Sequence, residues 1–212
     1  MQKLADTTYP IEEFLKRRWS PRAFSDRPVE PEKLLSLWEA ARWAASTGNE
    51  QPWYFIVAGK EDAAEYARLL SCLRENNQQW ASRAPVLMVS VAKLAFEANG
   101  QPNRHAFHDV GLAVANLILQ ATALGLYVHQ MAGIYPDKVR ELYGVPEGFE
   151  PVAGIVLGYL GDPASLPEDL RQRELAQRVR KPLETFVFQR AWGQTSPLAT
   201  PSVSTQAANL NS

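Results

Sequence analysis

Phe107 to Leu124 limits this chain's architecture more than any other segment. It reads as a helix of about five turns, apolar on most sides, with Gly125 placed to end it. A helix with so little polar surface has to be covered, either in a core or at a subunit interface. The other elements must supply that cover. Pro85 to Ala92 reads as a strand, apolar nearly throughout and so expected to be buried on both faces. It is also the longest apolar run, far short of the ~20 residues that span a bilayer.

The remaining segments fill in a mixed fold. Trp53 to Ala58 and Val152 to Leu160 read as strands, with Leu126 to Val128 a shorter one. Pro10 to Arg18 reads as a first helix, with Glu12 and Glu13 in its first turn and Lys16 to Arg18 in its last, as the helix dipole prefers. Pro31 to about Ala45 carries Leu34, Trp38, Ala41 and Ala45 at spacings of three and four, which gives one apolar face. Asp62 to Leu73 opens on a capping aspartate, Asp137 to Tyr143 is closed by Gly144, and Glu168 to about Arg178 is a polar helix. Lys93 to His105, with Asn99, Gly100, Pro102 and Asn103, reads as a loop or lid. Strands and helices mixed around one apolar helix give an α+β domain, and the pattern leaves its strand order open. No repeat or linker interrupts it. The expectation is a single domain over residues 1–193 and a polar tail over 194–212, mobile unless something pins it.

Composition removes several functions. With 46% hydrophobic and 21% charged residues among 212, the chain is expected to fold. A formal net charge of −1 gives no whole-molecule attraction to nucleic acid or to an anionic membrane. Cys72 is the only cysteine, which forbids an intrachain disulfide or a thiolate cage and leaves it as a small buried hydrophobe. Met1 to Leu15 carries acids and no long apolar run, so no secretory signal is expected and a cytoplasmic location is the default. His105, His108 and His129 lack the spacing of a helical His-x-x-x-His pair, and no metal site is expected.

Two groups of residues can carry chemistry. Arg17, Arg18 and Arg22 flank Ser20, and far along the chain stand Arg178, Arg180 and Lys181. Arginine offers a planar fork and serine a hydroxyl, so the two clusters could meet on one phosphate. Equally, a basic helix end can be a solvated, dipole-matched terminus. The stretch Ala45-Ser46-Thr47-Gly48-Asn49-Glu50-Gln51-Pro52-Trp53 sets hydroxyls and amides in a turn between a helix and a strand. That suits a polar heterocycle or a ribityl chain, or simply the capping of the turn itself.

Arg18-Trp19-Ser20-Pro21-Arg22-Ala23-Phe24, followed by Ser46-Thr47-Gly48-Asn49-Glu50-Gln51-Pro52-Trp53, resembles the paired signature of the FMN-dependent nitroreductase family. Asp109-Val110-Gly111 with Asn116-Leu117 resembles the family's central helix. Leu124-Gly125-Leu126 leading to Met131-Ala132-Gly133 resembles its loop at the flavin edge. Gly158-Tyr159 and Arg178-Val179-Arg180-Lys181-Pro182-Leu183 resemble its C-terminal segment, so the similarity runs from about Pro10 to Gly193. The resemblance implies a mostly antiparallel central sheet flanked by helices, a long buried central helix, and an intertwined homodimer with FMN at the subunit interface.

It also implies roles. Arg18, Ser20 and Arg22, with Trp19 between them, would hold the flavin phosphate and ring edge, and Arg178 and Arg180 would close on the phosphate. Ser46 and Asn49, with Ala45, Thr47 and Gln51 beside them, would reach the flavin held mainly by the partner subunit. Asn77 would stand near the isoalloxazine, and the backbone N–H of Gly133, after Met131 and Ala132, would point at flavin N5. Three positions depart from the family pattern. Trp19 stands where a second basic or polar residue is common, Ala45 replaces a proline, and Trp80 stands where some relatives carry a lysine. The last departure leaves Arg22 alone to face negative charge on the reduced ring.

No Gly-x-Gly-x-x-Gly turn follows a strand, so a separate nicotinamide-nucleotide domain is not expected. NADPH or NADH and a small acceptor (nitroaromatic, quinone, enone or similar) would then use one flavin face in turn. Hydride would pass from NAD(P)H through flavin N5 to the acceptor in a ping-pong cycle, with no acid–base residue assigned. Two alternatives stay open: a flavin-binding protein without turnover, and a narrower flavin dehydrogenase or dehalogenase on the same fold.

Overall fold

The computed structural model describes residues 3–200. They fall into two compact units, one ending at Ala176 and the other beginning at Gln177. The first is built on four antiparallel strands: β1 (Trp53–Gly59), β2 (Val86–Lys93), β3 (Tyr127–Met131) and β4 (Phe149–Gly158). Their order across the sheet is β1-β2-β4-β3. Seven helices accompany them: α1 (Glu13–Arg17), α2 (Pro31–Arg42), α3 (Ala63–Leu70), α4 (Glu75–Ala81), α5 (Ala106–Ala123), α6 (Pro136–Tyr143) and α7 (Glu168–Leu175). The fold is the α+β architecture expected, with a wholly antiparallel sheet.

Pleating sends the apolar residues of β2 into two cores, which is why that strand needed no polar face. Val86, Met88 and Ala92 join α2 and α5 in one. Leu87, Val89 and Val91 join α3, α4 and α6 in the other. On α5, Val110, Ala113, Val114, Leu117 and Ala121 are buried at helical spacing. Phe107, Gly111 and Ala115, every fourth residue on another side of α5, are exposed. Within one chain the long apolar helix is therefore covered only in part.

Several boundaries differ from expectation. The first helix is α1 alone; the chain from Pro10 to Glu12 is non-helical, and Glu12 makes no capping side-chain bond. α2 ends at Arg42, which leaves Ala45 in the following loop. Asp62 caps α3 as expected, accepting from the Glu65 N–H at 3.0 Å. That helix stops at Leu70, because Leu73 turns away to bridge Ile134. The sequence gives no warning of α4: Glu75-Asn76-Asn77-Gln78-Gln79 has no apolar period and Arg74 makes no capping side-chain bond. Burial of Trp80 and Ala81 holds that helix instead. β3 runs past Val128 to Met131, and α7 stops at Leu175, short of Arg178.

In the second unit Leu183–Thr185 forms a 3₁₀ turn, and Phe188 pairs with Thr195. The Thr195 hydroxyl donates to the Glu184 carbonyl at 2.9 Å and the Ser196 N–H to the Val187 carbonyl at 3.0 Å. The start of the expected tail is thus pinned to the segment before it. Residues 201–212 lie outside the described residues. No helix among the described residues is long and apolar enough to cross a membrane.

Candidate functional site

The basic stretch after α1 is extended, and three elements hold it. Arg18 Nη1 donates to Ser20 Oγ at 3.4 Å. Trp19 is buried, edge-on to Tyr127 of β3 with ring centroids 6.2 Å apart. The Arg22 guanidinium lies 5.9 Å over the ring of Trp80 from α4. Trp80 in turn stacks on Phe24 at 6.4 Å and meets the His129 ring of β3 at 4.6 Å. Trp80 is a core residue at 2% exposure and brings no cation here. It supplies instead a π-face under the cation of Arg22.

His129 Nδ1 lies 2.8 Å from the Pro21 carbonyl, which can only accept, so Nδ1 carries the proton. Burial, with the nearby Arg22 charge adding to it, pushes the His129 pKa down to about 4 against the pull of that bond. The ring is neutral at pH 7. On the far side of the segment, buried Glu174 of α7 accepts from the Arg22 and Ala23 N–H groups.

Asn77 and Trp80 sit three residues apart on α4 and so share a face. Trp80 faces Arg22 and His129, while Asn77 Nδ2 donates to the Gly133 carbonyl at 3.1 Å. One helix thereby joins the Arg22 cluster to the chain just past β3. Met131 ends that strand, buried, and Ala132 beyond it is exposed. At Gly133 a Cβ would lie 2.4 Å from Asn77 Nδ2, closer than any side chain could stand. The Gly133 N–H has no acceptor among the described residues. A cleft of about 570 Å³ is lined by the next two residues, Ile134 and Tyr135, together with Arg74, Gln78 and Lys138.

The segment from Ala45 to Gln51 lies elsewhere. The Thr47 N–H donates to Asp109 Oδ2 at 2.9 Å, and the Gln51 N–H to Ser46 Oγ at 3.0 Å. Gly48, Asn49 and Gln51 have φ of 60°, 59° and 50°. For the two non-glycine residues this left-handed backbone costs on the order of 1 kcal/mol each. Ala45, Thr47, Asn49 and Gln51 are exposed and Ser46 is half-buried. The sheet register separates His129, which packs on Trp80 beside Arg22, from Trp53, where the strand after this loop begins. His129 aligns through Val156 and Leu87 with Ala58, on the opposite edge strand. Trp53, next to the loop, is a further five residues along β1. That is about 14 Å across the sheet and about 17 Å along it, some 20 Å in all.

Arg178 and Arg180 belong to the second unit, where Arg180 Nη1 donates to the Val179 carbonyl at 2.8 Å. Burial, then the like charge of Arg180, pushes the Arg178 pKa down. Sequence reading missed Glu174 and Asp109 as residues that hold these segments. A glutamate in a polar helix carries no signal of burial, and Asp109 was noticed only as part of a motif.

The model of the nitroreductase family matches residues 15–76 and 63–159. The chain belongs to the nitroreductase family. A protein of Archaeoglobus fulgidus, named provisionally as an NADH dehydrogenase/NAD(P)H nitroreductase, is 31% identical over 160 residues, covering 72% of this chain and 88% of its own. An uncharacterised 15.4 kDa protein of Mycolicibacterium smegmatis is 33% identical over 64% of this chain and 90% of its own. A solved structure described as an oxidoreductase containing FMN superposes with a TM-score of 0.83 at 36% identity, over 90% of this chain and 96% of that one. A nitroreductase family protein of Clostridium difficile gives a TM-score of 0.66 at 26% identity, over 88% and 99%.

The residues gathered here fit a group of the kind named for the FMN-containing relative. Among the described residues buried Trp19 Nε1 and Arg17 Nε have no hydrogen-bond partner, so two donors in the basic segment are open to an acceptor. No carboxylate pairs with the Arg22 guanidinium among the described residues, which suits a ligand anion. Gly133 offers an open N–H where a Cβ would displace the Asn77 amide. In this member of the nitroreductase family α4 touches both the Arg22 cation, through Trp80, and the open Gly133 peptide, through Asn77.

Proposed function

We propose that this protein is an FMN-dependent oxidoreductase that takes hydride from NADPH or NADH and passes it to a small acceptor such as a quinone or nitroaromatic. The observation that carries the reading is the open N–H of Gly133, joined by α4 to the Arg22 cation. Bound FMN would supply the two-electron chemistry, and the protein its position and electrostatics. Arg18, Ser20 and Arg22 would hold the phosphate and ring edge, with Arg178 and Arg180, which follow Glu174 by four and six residues, closing on the phosphate. The Gly133 N–H would donate to the ring, Asn77 would fix that peptide, and Met131 and Ala132 would shape the approach to it.

Ser46 and Asn49, with Ala45, Thr47 and Gln51, precede Trp53, which lies on the opposite edge strand from His129 and some 20 Å from it by strand spacing, and they serve the flavin of a second subunit. The exposed Phe107, Gly111 and Ala115 of α5 favour the same homodimer, since small residues let a partner helix approach closely. Donor and acceptor share one opening in turn, giving ping-pong turnover in the cytoplasm.

Hybrid dimers test this reading. Arg22→Ala and Asn49→Gly chains (glycine tolerates the left-handed backbone) should each lose most NADPH-dependent quinone reduction. Mixed one to one with free subunit exchange, they should recover about a quarter of wild-type activity, because half of the dimers carry one intact site. No recovery from the mixture would place all these residues on one chain's site. No activity in the wild type with either nucleotide would remove the oxidoreductase reading.

A further inference from the structure

Segment 21–25 spends its main chain on the protein itself. The Pro21 carbonyl accepts from His129 at 2.8 Å. The Arg22 N–H meets both Glu174 oxygens at 3.0 and 2.9 Å, and the Ala23 N–H meets one of them at 3.1 Å. The Ala23 carbonyl accepts from the Gly161 N–H, and the Ser25 N–H donates to the Tyr159 carbonyl, each at 2.9 Å. Backbone groups at anion sites are commonly the donors, as at helix N-termini and in nests of successive amides. Here two successive amides do point one way, and an internal carboxylate already fills the concavity they form.

Glu174 is 1% exposed. Among the described residues no cation pairs with its carboxylate; Lys3 Nζ donates to its main-chain carbonyl instead. A buried carboxylate beside a site for an anion opposes that anion electrostatically. Its retention there is understandable if it fixes shape. Glu174 holds the Arg22 and Ala23 amides and His129 the Pro21 carbonyl, and the Arg22 guanidinium stands over the face of Trp80.

We infer that Glu174 is a positioning residue for the Arg18–Arg22 segment, and that the Arg22 and Ala23 amides, being held by Glu174, are not donors to the anion, so that Arg22 meets it through its side chain. The inference rests on the placing of FMN at this segment. Glu174 touches neither ligand nor reacting atoms; it acts through Arg22.

Amide exchange of the full-length wild type, followed by NMR with and without FMN, tests it without a mutation. The Arg22 and Ala23 amides should already be protected in the flavin-free protein and change less than twofold on FMN binding. Amides that exchange freely until FMN is added would overturn the inference, since the ligand and not Glu174 would then be their acceptor. Glu174→Gln, which keeps size but offers an N–H₂ group to an amide donor, should weaken FMN binding at least tenfold. It should also shift the visible spectrum and the reduction potential of the flavin that still binds, a change that general loosening of α7 would not produce. Wild-type affinity with an unchanged spectrum and potential would overturn the positioning role. A wild type that ignores FMN would instead remove the proposed function, and the exchange rates without flavin would still decide whether Glu174 holds the two amides.

Discussion

At Gly133 a single missing methyl group decides the local geometry. Gly133→Ala would put its Cβ against the end of a flexible side chain, so Asn77 should swing away and lose its bond to the Gly133 carbonyl. The expected cost to stability is about 1 kcal/mol, the net worth of one hydrogen bond, with at least a tenfold loss of FMN affinity by fluorescence titration. The stability loss should vanish when the same change is made in an Asn77→Ala background, where the clash is absent. His129 gives a prediction with a definite sign. Its folded pKa is about 4 against 6.5 for the free side chain, so between those values the unfolded chain binds a proton that the folded one refuses. Stability from this residue is present above pH 6.5 and is lost as the pH falls towards 4, by about 3 kcal/mol at most. Urea unfolding of wild type and His129→Gln from pH 7 to 4.5 should show the gap between them narrowing on acidification. A gap that stays constant would mean that His129 is not held neutral by burial.

At the scale of elements, legibility followed hydrophobic period. α5, β1, β2 and β4 announced themselves through apolar runs, and the structure has them close to the expected positions. α4 did not, because its stability comes from burying Trp80 and Ala81 rather than from a pattern in its own residues. That omission mattered, since α4 carries both Asn77 and Trp80. The sequence marked Trp80 only as a departure from a lysine. Its place beneath Arg22 needed the fold, as did the role of Glu174. The motif residues at 18–22, 45–51 and 131–133 were legible through the family resemblance, whereas their grouping into two places depends on strand order, which no local pattern encodes. α5 carries its own prediction. If α5 forms the proposed dimer seam, Ala115→Glu, on the stripe with Phe107 and Gly111, should leave the monomer fold intact by circular dichroism and raise the dissociation constant of that dimer at least a hundredfold. Sedimentation velocity reads this directly, and an unchanged dimer would show that subunits meet elsewhere.

The whole molecule combines a sheet-centred unit through Ala176 with a second unit that begins just before Arg178 and Arg180. The polar composition of 194–212 leads to a tail that is mobile unless something pins it, and its first residues are tied by Thr195 and Ser196 to the segment before them. Composition does not encode such hydrogen bonds. What unites the parts in this account is a flavin that accepts electrons from a nicotinamide, and the most direct test is an anaerobic absorption spectrum of the purified, FMN-loaded protein before and after NADPH, and separately NADH. The account predicts flavin bands near their usual visible wavelengths that bleach on adding at least one of the two nucleotides. A protein that binds no FMN, or whose bound FMN stays oxidised with both, would contradict it.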